Sequence, residues 1–248
     1  MSEFDFFDLL KQVTVASKDD GHKFQVLDRV EAIRSLLSQT DYQLLHQGRL
    51  FLLYGKRPVA GEPIVLISSH IDCVYSRCFF EEDEAYYKGT FDNSLTNAAV
   101  LYNMLTSRFH ENVLIAFTGD EEKDSEGCHE LIEYLFSQQG CEVSFALVTD
   151  VSNVGWDEEV PFSVENDLGI DMFTAHQLVE WLEPYWFSFV HYAEPDESWD
   201  YNNVHIPCLT LCIPVKGDLH HDDGVVARNS SIPIYCEVLA HLANCLAE

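Results

Sequence analysis

Five short segments end apolar runs with acidic or histidine residues: Ser-Ser-His70-Ile-Asp72, Thr-Phe-Asp92-Asn93, Gly-Asp-Glu121-Glu122, Val-Thr-Asp150 and Leu-His220-His221. Imidazole and carboxylate together are ligands for borderline divalent ions such as zinc. A pair of ions that each keep an open position can polarise a carbonyl and acidify a water, so the chemistry implied is two-metal hydrolysis. Each segment alone says little. A histidine at a strand end is more often a satisfied structural residue, and Asp120 to Asp124 reads equally well as an acidic loop. The adjacent carboxylates of Glu121 and Glu122 point in different directions, so one can bind metal while the other takes a proton. Order along the chain and a shared position after apolar runs carry the reading.

The elements that would hold these residues follow from periodicity. Pro63–Ser68, Asn112–Thr118 and Glu142–Thr149 read as buried strands, and Arg49–Tyr54 as a further strand closed by a turn over Gly55–Gly61. Lys23–Ser38 carries a helical stripe of Phe24, Leu27, Val30, Ile33, Leu36 and Leu37. Ser94–Arg108 has one apolar face; Glu126–Gln138 and Ile232–Leu246 also read as helices. This alternation predicts an α/β fold with a largely parallel, helix-covered sheet, and ligands in such sheets collect at the carboxyl ends of the strands.

A length of 248 residues suits a single domain over 1–248, and no linker, repeat or low-complexity tract divides it. No apolar run approaches the roughly 18 residues of a membrane span, and the start of the chain lacks a signal-peptide pattern, so a cytoplasmic protein is expected. The formal charge of −28, from 42 acidic and 14 basic residues, argues against nucleic acid or an anionic membrane as partner. Glu81–Glu84 reads as solvated loop or edge. The eight cysteines are irregularly spaced and are expected to be reduced, with Cys208 and Cys212 on one strand face. His129-Glu-Leu-Ile-Glu133 lacks the second histidine of a helical zinc motif, and neither a Gly-x-Ser-x-Gly elbow nor a phosphate-cradling glycine loop is present.

Taken together, the segments resemble those of the co-catalytic zinc exopeptidases, the superfamily of bacterial leucyl-type, glutamyl and tetrahedral aminopeptidases and related zinc carboxypeptidases. Ile-Ser-Ser-His70-Ile-Asp72 is similar to the first ligand segment and Lys-Gly-Thr-Phe-Asp92-Asn93-Ser to the bridging one. Phe-Thr-Gly-Asp-Glu121-Glu122, Leu-Val-Thr-Asp150 and His220-His221-Asp-Asp are similar to the remaining three, in order, over a span from about residue 8 to the carboxyl terminus. The resemblance implies a three-layer α/β/α fold with a mostly parallel mixed central sheet, and two divalent ions, zinc by expectation. It implies His70 and Asp150 on one ion, Glu122 and His220 on the other, and Asp92 bridging, with His221 as the alternate to His220. Glu121 would be the general base, Asp72 would orient His70, and a cis peptide is expected at Asp92–Asn93.

The pattern is not followed everywhere. Lys123-Asp-Ser-Glu stands before Gly127, where the family often has an earlier glycine, and the chain is short for an inserted lid or dimerisation domain. The expected activity is an aminopeptidase acting on a small peptide or amino-acid amide. The rivals are a deacylase-type amidohydrolase on the same site and a catalytically silent binding protein of the same fold. The segment from Trp156 to Tyr201, rich in aromatics and acids, is where substrate selectivity is expected.

Overall fold

The computed structural model describes residues 5–15, 24–56, 62–138 and 142–248. The first half runs α1 (Phe6–Val13), α2 (Asp28–Leu37), β1 (Gln43–Gln47), β2 (Phe51–Gly55), β3 (Ile64–His70), β4 (Phe80–Glu82), β5 (Tyr86–Gly89), α3 (Ser94–Leu105), β6 (Val113–Thr118) and α4 (Glu126–Ser137). The second half runs β7 (Val143–Ser152), β8 (Ser163–Leu168), α5 (Met172–Leu182), β9 (Ser188–Val190), α6 (Glu197–Asn203), β10 (Cys208–Lys216), β11 (Val225–Arg228) and α7 (Ser231–Ala247). The helix expected over Lys23–Ser38 is shorter: Phe24–Val26 form one 3-10 turn and the α-helix starts only at Asp28, while Lys23 and most of the Gly55–Gly61 turn lie outside the described residues.

The sheet order is β1-β2-β6-β3-β7-β10-β11-β5-β4, with β8 and then β9 attached beside β10. The sheet is mixed, as expected, but only partly parallel where a largely parallel one was expected. Parallel pairings join its four central strands, β6, β3, β7 and β10, and antiparallel pairings form most of its flanks.

Side chains alternate across a strand, and this sheet uses both faces. Val65, Ile67, Val113, Ile115, Phe117 and Leu147 pack into a core with α2, α3 and α7, whereas Leu66, Leu114, Ala116, Ala146 and Val148 pack into a second core under α4 and α6. Helices therefore cover both faces. The helix expected to be one-faced, α3, is buried almost all round because α1 and α7 pack on it as well as the sheet. Its burial matters to function, since a helix gripped on every side cannot shift the residues at its N-terminus. Among the described residues no helix is long and apolar enough to cross a membrane, and none of the cysteines forms a disulfide. Cys208 and Cys212 share a face of β10, both buried.

Candidate metal centre

Strand order explains how distant segments meet. β6, β3, β7 and β10 lie side by side and parallel, so the ends that carry Glu121 and Glu122, His70, Asp150 and the loop with His220 emerge at one edge. Ser68 pairs with Val148, which leaves His70 and Asp150 level with each other two residues on. Asp92 arrives from β5 at the start of α3, where the Asp92–Asn93 peptide is cis as expected.

Two groups of three side chains result. His70, Asp92 and Asp150 form one, and Asp92, Glu122 and His220 the other; within each, the possible ligand atoms all lie within 4.8 Å of one another. Asp92 belongs to both. His70 Nε2 is 3.2 Å from Asp92 Oδ1, 3.6 Å from Asp150 Oδ1 and 4.0 Å from Glu121 Oε2, while His220 Nε2 is 4.0 Å from Glu122 Oε2. His221 turns away, with Nδ1 3.4 Å from Asp223. His129, on α4, pairs with Asp200 at 2.9 Å and takes no part.

A network of hydrogen bonds holds the ligand-bearing segments in place. Asn97, one turn into α3, donates to the carbonyls of His70 and Asn93 and accepts from Ser69 Oγ, and Asn93 donates to the Thr149 carbonyl. The Tyr75 hydroxyl donates to the Leu219 carbonyl and accepts from the Asp92 amide, joining Asp92 to the loop of His220. Arg29, wholly buried, donates to the carbonyls of Val13 and Ile71 and so pins the turn between His70 and Asp72. Asp72 accepts from the amides of both Glu121 and Glu122, and its Oδ1 lies 3.5 Å from His70 Nδ1. Its carboxylate thus grips the Glu121–Glu122 loop and stands behind the imidazole.

The donor set fits a pair of cations. Both ring nitrogens of His70, Asp92 Oδ1 and Glu122 Oε1 are buried without a hydrogen-bond partner. An orphaned buried polar atom costs about 1–3 kcal/mol; His70 Nδ1 faces Asp72, whereas His70 Nε2 and Asp92 Oδ1 face each other within the first group. The titration behaviour has the same cause. Burial drives the Glu121 carboxyl up to about 9, with His70 opposing and Asp150, Glu197 and Asp92 adding to the rise. Glu122 is pushed to about 8 by burial and then by Asp92, and Asp150 to about 6 by the same two causes. Burial alone would lower the His70 imidazole, but Glu121, Asp150, Asp72 and Asp92 outweigh it and hold it well above its ordinary value. Asp72 goes the other way: burial raises it, and His70 with the two amide donors more than offsets that. Too much negative charge is packed here for the protein alone to carry ionised. Borderline divalent ions would relieve it, and histidine with carboxylate is their donor set.

Beside the two groups opens a cavity of about 510 Å³ whose lining includes Asp92, Glu121, Glu122, Asp150 and His220. The segment 156–201 lines the cavity through Glu165, Val190 and Ala193–Asp196, but its large aromatics do not: Trp181 and Tyr185 pack on the core and Trp186 is exposed. Sequence reasoning did not single out Tyr75, Asn97 or Glu165. Nor did it foresee that Glu197 is buried behind His70, accepting from Ser68 Oγ at 2.6 Å and pushed to about 7 by burial.

No family model and no curated protein matches the chain. Solved structures do. The TET aminopeptidase of Thaumarchaeota archaeon SCGC AB-539-E09 superposes with a TM-score of 0.77 at 10% identity, covering 96% of each chain. The TET1 peptidase of Pyrococcus horikoshii gives 0.71 at 13% identity, covering 96% of this chain and 99% of that one. A tripeptidase of Staphylococcus aureus gives 0.69 at 11% identity and 98% of each. Across nearly its whole length, then, the chain has the fold of aminopeptidase and other peptidase structures; at these identities the likeness is one of fold.

Proposed function

We propose that the chain is an aminopeptidase that uses two divalent ions, zinc by preference, to hydrolyse the first peptide or amide bond of a small substrate with a free amino end. The observation that carries this reading is the pair of three-residue groups sharing Asp92, with orphaned ligand atoms inside and Glu121 beside them. His70 and Asp150 would hold one ion, Glu122 and His220 the other, with Asp92 on both. Bound there, the ions would polarise the scissile carbonyl and acidify the attacking water.

The remaining work falls to side chains. Glu121 accepts the proton of the attacking water and returns it to the leaving amine. Asp72 keeps Glu121 aimed by accepting its backbone N–H. Tyr75 and Asn97 keep the ligand-bearing loops from drifting apart. The solved structures of the same fold that are peptidases support the substrate class.

The test is turnover of an aminoacyl-p-nitroanilide and of its N-acetylated form by protein reconstituted with zinc. Hydrolysis of the free-amine compound only is expected. Preference for the acetylated compound would replace the reading with a deacylase, and no hydrolysis of either by a protein holding two ions would replace it with a silent binding protein.

A further inference from the structure

The cavity beside the metal groups has a floor that the hydrolytic mechanism does not use. β7, β10 and β8 lie in register there, with Asp150 opposite Cys212 and Cys212 opposite Ser163. Residues i and i+2 of a strand share a face, so Glu165 points the same way as Ser163 and Asp150 but two residues deeper, level with Thr210. Val164, between them, packs into the opposite core, which confirms the facing.

Glu165 is only 5% exposed and lines the cavity. Its carboxylate accepts from Ser163 Oγ at 2.6 Å and also from the Ser152 hydroxyl and the Cys212 thiol, and burial outweighs these neutral donors and raises its pKa. No lysine or arginine stands among the described residues that line the cavity. A buried carboxylate without a cation is costly. The other carboxylates at hand do not share this position. Glu197 is buried behind the strands and does not line the cavity, and Asp196 is occupied in accepting from Ser198 N and Thr210 Oγ1 at the start of α6. Glu194, also on the lining, is exposed at the rim.

Distance decides which cation Glu165 can meet. Two strand spacings across and two residues along place its backbone about 12 Å from that of Asp150. A substrate's α-ammonium is two bonds from the scissile carbonyl and must stay beside the metal ligands. A cation at the end of a long side chain reaches the floor, past the apolar wall of Val190, Ala193 and Leu219. We propose that this cavity receives the first side chain of the substrate and that Glu165 selects substrates beginning with a basic residue, lysine or arginine. The proposal rests on the aminopeptidase reading for the role of the cavity, but its recognition step needs no turnover.

Calorimetric binding of L-lysine amide and of L-norleucine amide, which keeps the α-ammonium but lacks the side-chain ammonium, to the metal-free protein isolates that step. The lysine compound is expected to bind about tenfold or more tightly than norleucine amide, Glu165→Gln to bring the two affinities together, and Glu165→Asp, which keeps the charge, to retain a reduced preference. Thermal melts of each variant check that it is folded. Equal binding by the wild type, no binding of the lysine compound, or a preference unchanged in folded Glu165→Gln would overturn the proposal. The two readings fail separately. Lysine-selective binding by a protein that hydrolyses no aminoacyl substrate when loaded with zinc would remove the aminopeptidase reading alone, whereas faster hydrolysis of leucyl than of lysyl anilide would remove this one alone.

Discussion

Glu121 and Glu122 are neighbours with different surroundings. Asp120, in the left-handed region at φ 64°, turns the chain so that both following amides reach Asp72, and the two side chains then diverge toward His70 and toward His220. If Glu121 moves protons and is not a ligand, Glu121→Gln keeps both ions and lowers kcat by about 10²–10⁴-fold; loss of an ion on metal analysis would put Glu121 in the ligand set instead. Tyr75 acts through Asp92 and Leu219. Tyr75→Phe is expected to weaken metal affinity by about 10-fold or more, measured by competition with a chelating dye, with the fold intact by circular dichroism. Residue type was legible in the sequence wherever a ligand candidate closes an apolar run, as for His70 and Asp150. Tyr75 and Glu165 were not, because a tyrosine in a loop or a glutamate in Ser-Val-Glu-Asn-Asp-Leu matches no motif, and their roles come only from what the sheet brings near them.

At the scale of elements, α4 shows how packing aims the loop before it. Gly127, in its first turn, donates to the Gly119 carbonyl, and a Cβ there would stand 2.4 Å from that oxygen and 2.6 Å from the Leu50 carbonyl. The Glu121–Glu122 loop spans the gap between these two glycines. Gly127→Ala is therefore expected to cost about 1–3 kcal/mol of stability by overpacking, and to lower metal affinity because Glu122 moves with the backbone. Denaturant unfolding and a metal titration measure the two effects, and an unchanged protein would show that α4 does not set the loop. The long elements were readable from periodicity, with ends within three residues, as for α7 and β7, except at the start of α2, which begins at Asp28 where a helix was expected from Lys23. The polar edge strands β1, β4 and β9 and the short helix α6 were not. In α6, the run Glu-Ser-Trp-Asp-Tyr-Asn-Asn has no apolar stripe, yet its Glu197 and Tyr201 are buried because they hydrogen-bond to Ser68. Burial through a polar partner leaves no trace in hydropathy.

For the whole molecule, acidity is the dominant fact: a formal charge of −28 with carboxylates converging on one cluster. Folding raises Glu121 to about 9 and Glu122 to about 8 from an ordinary 4.5. The folded, metal-free protein therefore holds protons that the unfolded chain has released, so this contribution to stability is fully present below the ordinary value and is lost as pH climbs through about 8 and 9. Melting temperature of the metal-free protein should fall between pH 6 and pH 9. Divalent ions compete with those protons, so adding zinc should flatten the trend, and metal affinity should weaken as pH drops. A metal-free protein that gains stability over that range would contradict the crowding of charge described for the cluster.

The mechanism depends on two ions that share Asp92, and the metal stoichiometry of wild-type protein and of Asp92→Ala after reconstitution with zinc measures this directly. Two ions per chain are expected for the wild type, and loss of both tight sites in the variant, with the fold retained. One ion or none in the wild type, or two ions kept by Asp92→Ala, would contradict it.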